Sequence, residues 1–198
     1  MSYLLHAYAL DDAILAVIGS GDRQVLARVT RKAEQEHESF VDEDTAAEHD
    51  GAPSNADVMR HLIMGEPYDA RFGWAYGYGF SVVCETFVEW LDEDDLWLSA
   101  TQLVEQVDPL LAAAGIPTDV LTLQRLVFGG PPVPLPPVED FPAIGHLTPP
   151  EVVAAHAALA AFDLQDVDDP DVRDSLGQVR SWLATCAEHR QTLVCITY

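Results

Sequence analysis

Seven histidines and three cysteines carry most of the chemistry open to this chain, and their neighbours decide which chemistry that is. Cys84 and His61 are the residue types of a nucleophile and its base, if the fold brings them together. Cys84 lies in an apolar run, however, where burial raises a thiol's pKa and leaves it inert. Metal ligation needs several donors converging at about 2–2.5 Å. Glu34 and Glu38 flank His37, while Glu48, His49 and Asp50 are consecutive and point apart on any regular element. Asp166, Asp168, Asp169, Asp171 and Asp174 have the density of a calcium loop, but the central glycine is missing and Pro170 breaks the register. All three groups read as solvated or capping acids, so neither a metal nor another cofactor is expected. The chain contains no nucleophile elbow, P-loop, dinucleotide fingerprint or zinc signature. His156 falls in an alanine-rich helical run and reads as packed. His146, just ahead of Thr148, reads as a loop histidine, a class more often functional.

The segment Phe72–Ser81 supplies the other candidates. Phe72, Trp74, Tyr76, Tyr78 and Phe80 alternate with Gly73, Ala75, Gly77, Gly79 and Ser81. Exposed, Trp74, Tyr76 and Tyr78 would stack on a flat ligand, with His61 and His146 as polar partners; this is the candidate ligand-binding set. Two periodicities compete. As a strand the segment would place all five rings on one face. As a helix, Phe72, Tyr76, Phe80, Val83, Phe87 and Trp90 form a stripe recurring every three or four residues. The second pattern runs longer and predicts a helix over about Ala75–Leu91 with its rings mostly in the core. Gly77 and Gly79 each cost about 1 kcal/mol inside a helix, so their presence predicts close packing against it.

These residues must be positioned by a chain of 198 residues, enough for one domain with a sizeable core. Its charge is −23, from 33 acidic residues against 10 basic ones, and Lys32 is the only lysine. Such a surface repels nucleic acid and anionic membranes, attracts a basic protein partner, and maintains solubility. Cys84, Cys186 and Cys195 are an odd set without a CxxC pair, which points to a reducing cytoplasm. No basic residue precedes Arg23 and Asp11-Asp12 interrupts the first apolar run, so the start is not read as a signal peptide. No apolar run approaches the ~20 residues of a membrane span.

Ser2–Ala9 has strand composition, and Asp11 and Asp22 are placed to cap helices over Asp12–Ile18 and from Asp22 on. The second would bury Val25, Leu26, Val29, Ala33 and Phe40 and expose a charged face. Asp42–Pro53 is acidic and aperiodic and reads as a loop. Ser54 caps Ala56–Met64, which Gly65 and Pro67 stop. Asp92–Asp95 reads as an acidic turn. Ser99 with Gln102 makes a capping box for a helix over Ala100–Ala114, and Thr118 is placed to cap Asp119–Phe128. Gly129–Pro142 holds six prolines and reads as an extended, rigid crossover. Thr148-Pro-Pro-Glu151 is a complete helix start, predicting a helix to about Phe162. Asp169-Pro170 starts another, burying Val172, Leu176, Val179, Trp182, Leu183 and Cys186. Thr192–Tyr198 is a final β-branched strand, expected beside the first.

His61-Leu-Ile-Met-Gly65, the aromatic–glycine segment, Leu147-Thr-Pro-Pro-Glu-Val152 and the apolar C-terminal strand occur in an order that resembles a known group. It is the YfbM-like family of uncharacterised bacterial proteins, and the likeness is closer to a related actinobacterial group with Tyr-Gly-Tyr before a helix. The resemblance implies a single α/β domain with a small sheet and supplies no activity or catalytic residue. The proline-rich crossover and the acidity depart from the YfbM pattern. The expectation is therefore a cytoplasmic, predominantly helical α+β domain spanning 1–198. Its leading role is a non-enzymatic, immunity- or inhibitor-like protein that binds a basic partner. The alternative is a small-molecule-binding protein or enzyme with a pocket beside Phe72–Phe80. A monomer is favoured over a homodimer that buries the aromatic face.

Overall fold

Residues 5–36, 51–91, 99–138 and 141–197 are described in the computed structural model. The expected Phe40 contact, residues 42–50 of the acidic loop, the 92–95 turn and the first residues of the N-terminal strand lie outside them. The fold is α+β, with eight α-helices and a three-stranded sheet among the described residues. The chain divides into two compact units. One comprises Met1–Asp11, Glu89–Pro132 and Ala143–Tyr198; the other comprises Asp12–Val88 and Val133–Pro142.

In the first unit, β1 (Leu5–Leu10) pairs antiparallel with β3 (Thr192–Thr197), placing Leu5 opposite Thr197 and Leu10 opposite Thr192. A further strand, β2 (Ala143–Leu147), flanks β3 on its other side, so the last strand is central and all six of its residues are buried. The sequence reading did not anticipate β2. Five residues containing a glycine carry little strand signal, and the glycine has a packing reason: a Cβ on Gly145 would collide with the Leu126 carbonyl. His146 accordingly sits within a strand, not in the loop expected for it.

Leu5, Ala7, Ala9, Leu147, Leu193 and Cys195 enter one core through the period-two alternation of the strands. The helices α5 (Ala100–Ala113), α6 (Leu123–Phe128), α7 (Pro149–Ala160) and α8 (Pro170–His189) supply the rest. The predicted stripe of α8, from Val172 to Cys186, is buried throughout. Each of these helices has a capping residue at its N-terminus. The Ser99–Gln102 box is formed, with the Gln102 N–H donating to Ser99 Oγ at 3.3 Å and the Ser99 N–H to Gln102 Oε1 at 3.1 Å. Asp169 Oδ1 accepts the N–H groups of Asp171 and Val172. Arg180 Nη2 closes the end of α7, donating to the Leu159 and Phe162 carbonyls at 2.8 and 2.5 Å.

The helix expected to begin after Thr118 instead begins at Leu123. Pro117–Leu121 is a turn closed on the Pro117 carbonyl, and Thr122 is the cap. Asp108 of α5 determines the start by accepting the N–H groups of Leu123 at 2.6 Å and Gln124 at 3.1 Å. The Thr122 cap is local, but the added bonds from Asp108 on another helix leave no local signature. The carboxylate of Glu151 is a second such junction. Its Oε2 accepts the Thr148 N–H at 2.8 Å and hydroxyl at 2.7 Å, and its Oε1 pairs with Arg125 of α6. Burial would push this carboxyl up, but the bonds from Arg125 and Thr148 prevail and hold it at about 2, against an ordinary 4.5.

The second unit is helical. After α1 (Asp12–Leu15), shorter than expected, the chain turns so that Gly19 and Gly21 donate to the Leu62 and Ile63 carbonyls at 2.7 and 2.8 Å. Both glycines have positive φ, 72° and 69°. Asp22 caps α2 (Arg23–Glu36), and Ser54 caps α3 (Asn55–Met64), which Gly65 ends in the left-handed conformation. The aromatic segment is helical, as the longer periodicity predicts: a 3-10 turn at Ala70–Phe72 leads into α4 (Gly73–Phe87), but the helix stops short of the expected Leu91, since Val88 is extended, and Trp90 of the predicted stripe is exposed. The predicted close packing of its glycines is present. A Cβ on Gly79 would clash with Val58 and reach within 2.8 Å of Leu62 Cδ1. One on Gly77 would lie 2.9 Å from Pro142 Cγ, and one on Gly73 would strike the Pro137 carbonyl. The proline-rich crossover thus rests directly against α4. A core of Val29, Ala33, Val58, Met59, Leu62, Ile63, Tyr76 and Val83 joins α2, α3 and α4.

Two measurements follow from these contacts. Gly79→Ala should lower the melting midpoint, because overpacking of about 1–3 kcal/mol exceeds the roughly 1 kcal/mol gain in helix propensity. Gly177→Ala in α8, where an added Cβ meets nothing within 4 Å, should raise it. Glu151→Gln should lower the midpoint by about 2–4 °C at pH 7. Because the folded pKa of Glu151 is depressed, its contribution is present above pH 4.5 and lost as the pH falls towards 2. The gap between wild type and variant should therefore narrow in acid; a gap unchanged at pH 3 contradicts this assignment.

Candidate functional site

In a helix, residues four apart share a face, so α4 divides its rings into two stripes. Phe72, Tyr76 and Phe80 are buried. Trp74 and Tyr78 are half-buried, with Trp74 edge-on to both Phe72 and Tyr78 at centroid separations of 6.5 Å. The five rings therefore present no common stacking surface.

Of the sequence-derived candidates, the structure joins His61 and Tyr76. His61 Nδ1 lies 2.9 Å from Tyr76 Oη, and the Asp69 N–H donates to the same oxygen at 3.0 Å. The Tyr76 hydroxyl thus bridges the His61 ring and the Asp69 backbone, and the other ring nitrogen of His61 is Nε2. That nitrogen faces Arg60 Nη2 at 3.4 Å and Glu66 Oε2 at 3.8 Å. Tyr68 leans on Tyr76 with centroids 4.8 Å apart. Burial pushes the Tyr76 phenol up, against the opposing pull of the Asp69 bond, and burial likewise raises Tyr68. Tyr76 is thus a structural hydrogen-bond post. His146 belongs to the other unit, where its Nδ1 lies 2.8 Å from the Gly130 carbonyl.

None of the three cysteines forms a disulfide, and all three are buried. Burial raises Cys84 far out of range and Cys186 to about 12, consistent with packing rather than nucleophilic roles. Among the described residues, no group of three or more His, Cys, Asp or Glu side chains converges as a metal site would require.

None of the sequence-derived candidates points to a further concave feature in this unit. A groove of about 510 Å³ runs between α2 and α3, lined by Arg23, Leu26, Ala27, Thr30, Arg31 and Glu34 on one side and Arg60, Met64 and Glu66 on the other. Arg60 is fixed at its edge, donating through Nε to Glu66 at 3.0 Å and pairing with Asp57 at 2.9 Å. Since Arg60 and Glu66 also face His61, the groove and the His61–Tyr76 pair share a wall. One signal could have found it: four of the ten basic residues fall between Arg23 and Lys32, in an otherwise acidic chain.

Tyr76→Phe tests the post. It strands the Asp69 N–H and His61 Nδ1, and should cost about 1–3 kcal/mol, read as a lower urea midpoint. Unchanged stability would show that neither bond contributes.

With this geometry in hand, comparison with known proteins gives one match, to the family model described as "Domain of unknown function (DUF7691)", over residues 1–198. No curated protein and no solved structure matches the chain.

Proposed function

We propose, for a chain that belongs to this family of unknown function, a non-enzymatic binding role in which an acidic face engages a basic protein partner, as immunity and inhibitor proteins do. The observation that carries this reading is the placing of charge. Within the −23 chain, six aspartates are exposed between Asp163 and Asp174, around a 3-10 turn at Leu164–Asp166 and the start of α8. Asp163 and Asp169 are occupied as caps. Asp166, Asp168, Asp171 and Asp174 remain to meet a partner. Like charges crowded on one face destabilise the free protein slightly and steer a basic surface towards it.

A reducing, cytoplasmic setting is part of the proposal, supported by three cysteines that form no disulfide. So is a monomeric state, which mutual repulsion favours. No helix among the described residues is long and apolar enough to cross a membrane. The finer kinship with the YfbM-like group belongs to the proposal too, supported by the order of elements.

The test is capture of partners by the full chain and by a variant carrying Asp166→Asn, Asp168→Asn, Asp171→Asn and Asp174→Asn, which spares both caps. Basic proteins should be retained at low salt, released as salt rises, and lost from the variant. Equal capture by both chains, or capture indifferent to salt, overturns the reading.

A further inference from the structure

We propose that the groove between α2 and α3 is a binding site for a small amphipathic organic anion, an apolar body carrying one acidic head. Its volume of about 510 Å³ falls within the range of small-ligand sites. Leu26, Ala27 and Met64 form an apolar lining, and Ala27, being small, leaves the space open between the helices.

The charges select the ligand. The lining holds three arginines against Glu34 and Glu66, an excess of one positive charge in a chain whose net charge is −23. Arg60 and Glu66 neutralise each other at 3.0 Å, and Asp57 holds Arg60 as well. Arg23 and Arg31 pair with no acid among the described residues, leaving only Glu34 to offset them. They stand eight residues apart with Ala27 midway, so all three lie along one side of α2. The first N–H groups of α2 are already taken by Asp22, at 2.7 Å from the Gln24 nitrogen, so the guanidinium groups receive the head. A guanidinium matches the two oxygens of a carboxylate, sulfonate or phosphate with two parallel hydrogen bonds. The whole-chain field repels anions elsewhere, so a saturable anion site must come from these two side chains. This site is separate from the acidic face of the preceding proposal, and either can fail without the other.

The probe is 1-anilinonaphthalene-8-sulfonate, an aromatic body with one sulfonate, with N-phenyl-1-naphthylamine as its uncharged counterpart. Titrated into the full chain and followed by fluorescence, the sulfonate should show one saturable site that weakens with salt. The uncharged compound should bind at least about ten-fold more weakly. Arg23→Gln with Arg31→Gln should weaken sulfonate binding by about ten-fold or more, and Ala27→Trp, which fills the groove and keeps the charges, should do the same. Both changes are at exposed positions, and unchanged melting curves confirm folded variants. Equal binding of the two compounds overturns the proposal. So does wild-type affinity in both variants, or no saturable binding up to about 1 mM.

Discussion

The width of one methyl group governs the second unit. Helix α4 approaches its neighbours more closely than any residue with a Cβ allows: Gly73 faces the Pro137 carbonyl, Gly77 the Pro142 ring, and Gly79 the side chains of Val58 and Leu62. Those contacts bring α3 and the proline-rich segment onto α4 at short range, which places Tyr76 under His61. The glycines oppose helix formation on their own account, so the helix depends on the packing they permit. Rigid prolines suit that arrangement. A segment with fixed φ loses little entropy on docking and presents the same carbonyl and ring surfaces each time.

Electrostatics works on two scales here. Overall, the surplus of acid acts on solubility and on the approach of partners. Locally, the few cations are engaged with particular carbonyls and carboxylates. Arg180 ends α7, Arg125 ties α6 to the start of α7, and Arg60 spans Asp57 and Glu66. With only ten basic residues, each such assignment uses a scarce resource, and that scarcity makes the α2–α3 groove stand out.

Legibility in the sequence follows locality. Caps at Ser54, Ser99, Thr148 and Asp169 were readable because donor and acceptor lie within three residues of each other. The α8 stripe and the helical state of Phe72–Phe87 were readable because periodicity accumulates over many positions. Strand β2 was hidden, since its partner is nearly fifty residues away and its Gly145 answers to Leu126. The start of α6 was hidden for the same reason, being determined by Asp108. Of the five candidate site residues, His61 and Tyr76 meet through a hydrogen bond and Trp74 and Tyr78 edge-on, while His146 lies in the other unit. No rule of spacing could have announced the first meeting, because it depends on where α3 crosses α4.

The central place of β3 has a consequence for how the chain comes to be folded. Every segment of the helical unit lies before residue 143, so its core can close while the chain is still being made. The sheet cannot. β1 precedes the whole helical unit and its partner strand follows it, with Leu5 opposite Thr197. β2 too pairs only with β3. Until then two apolar strands have unpaired edges, the state in which strands recruit the wrong neighbour. The β1–β3 pairing closes a loop that encompasses every segment of the helical unit, so the sheet needs residues made after that unit is complete.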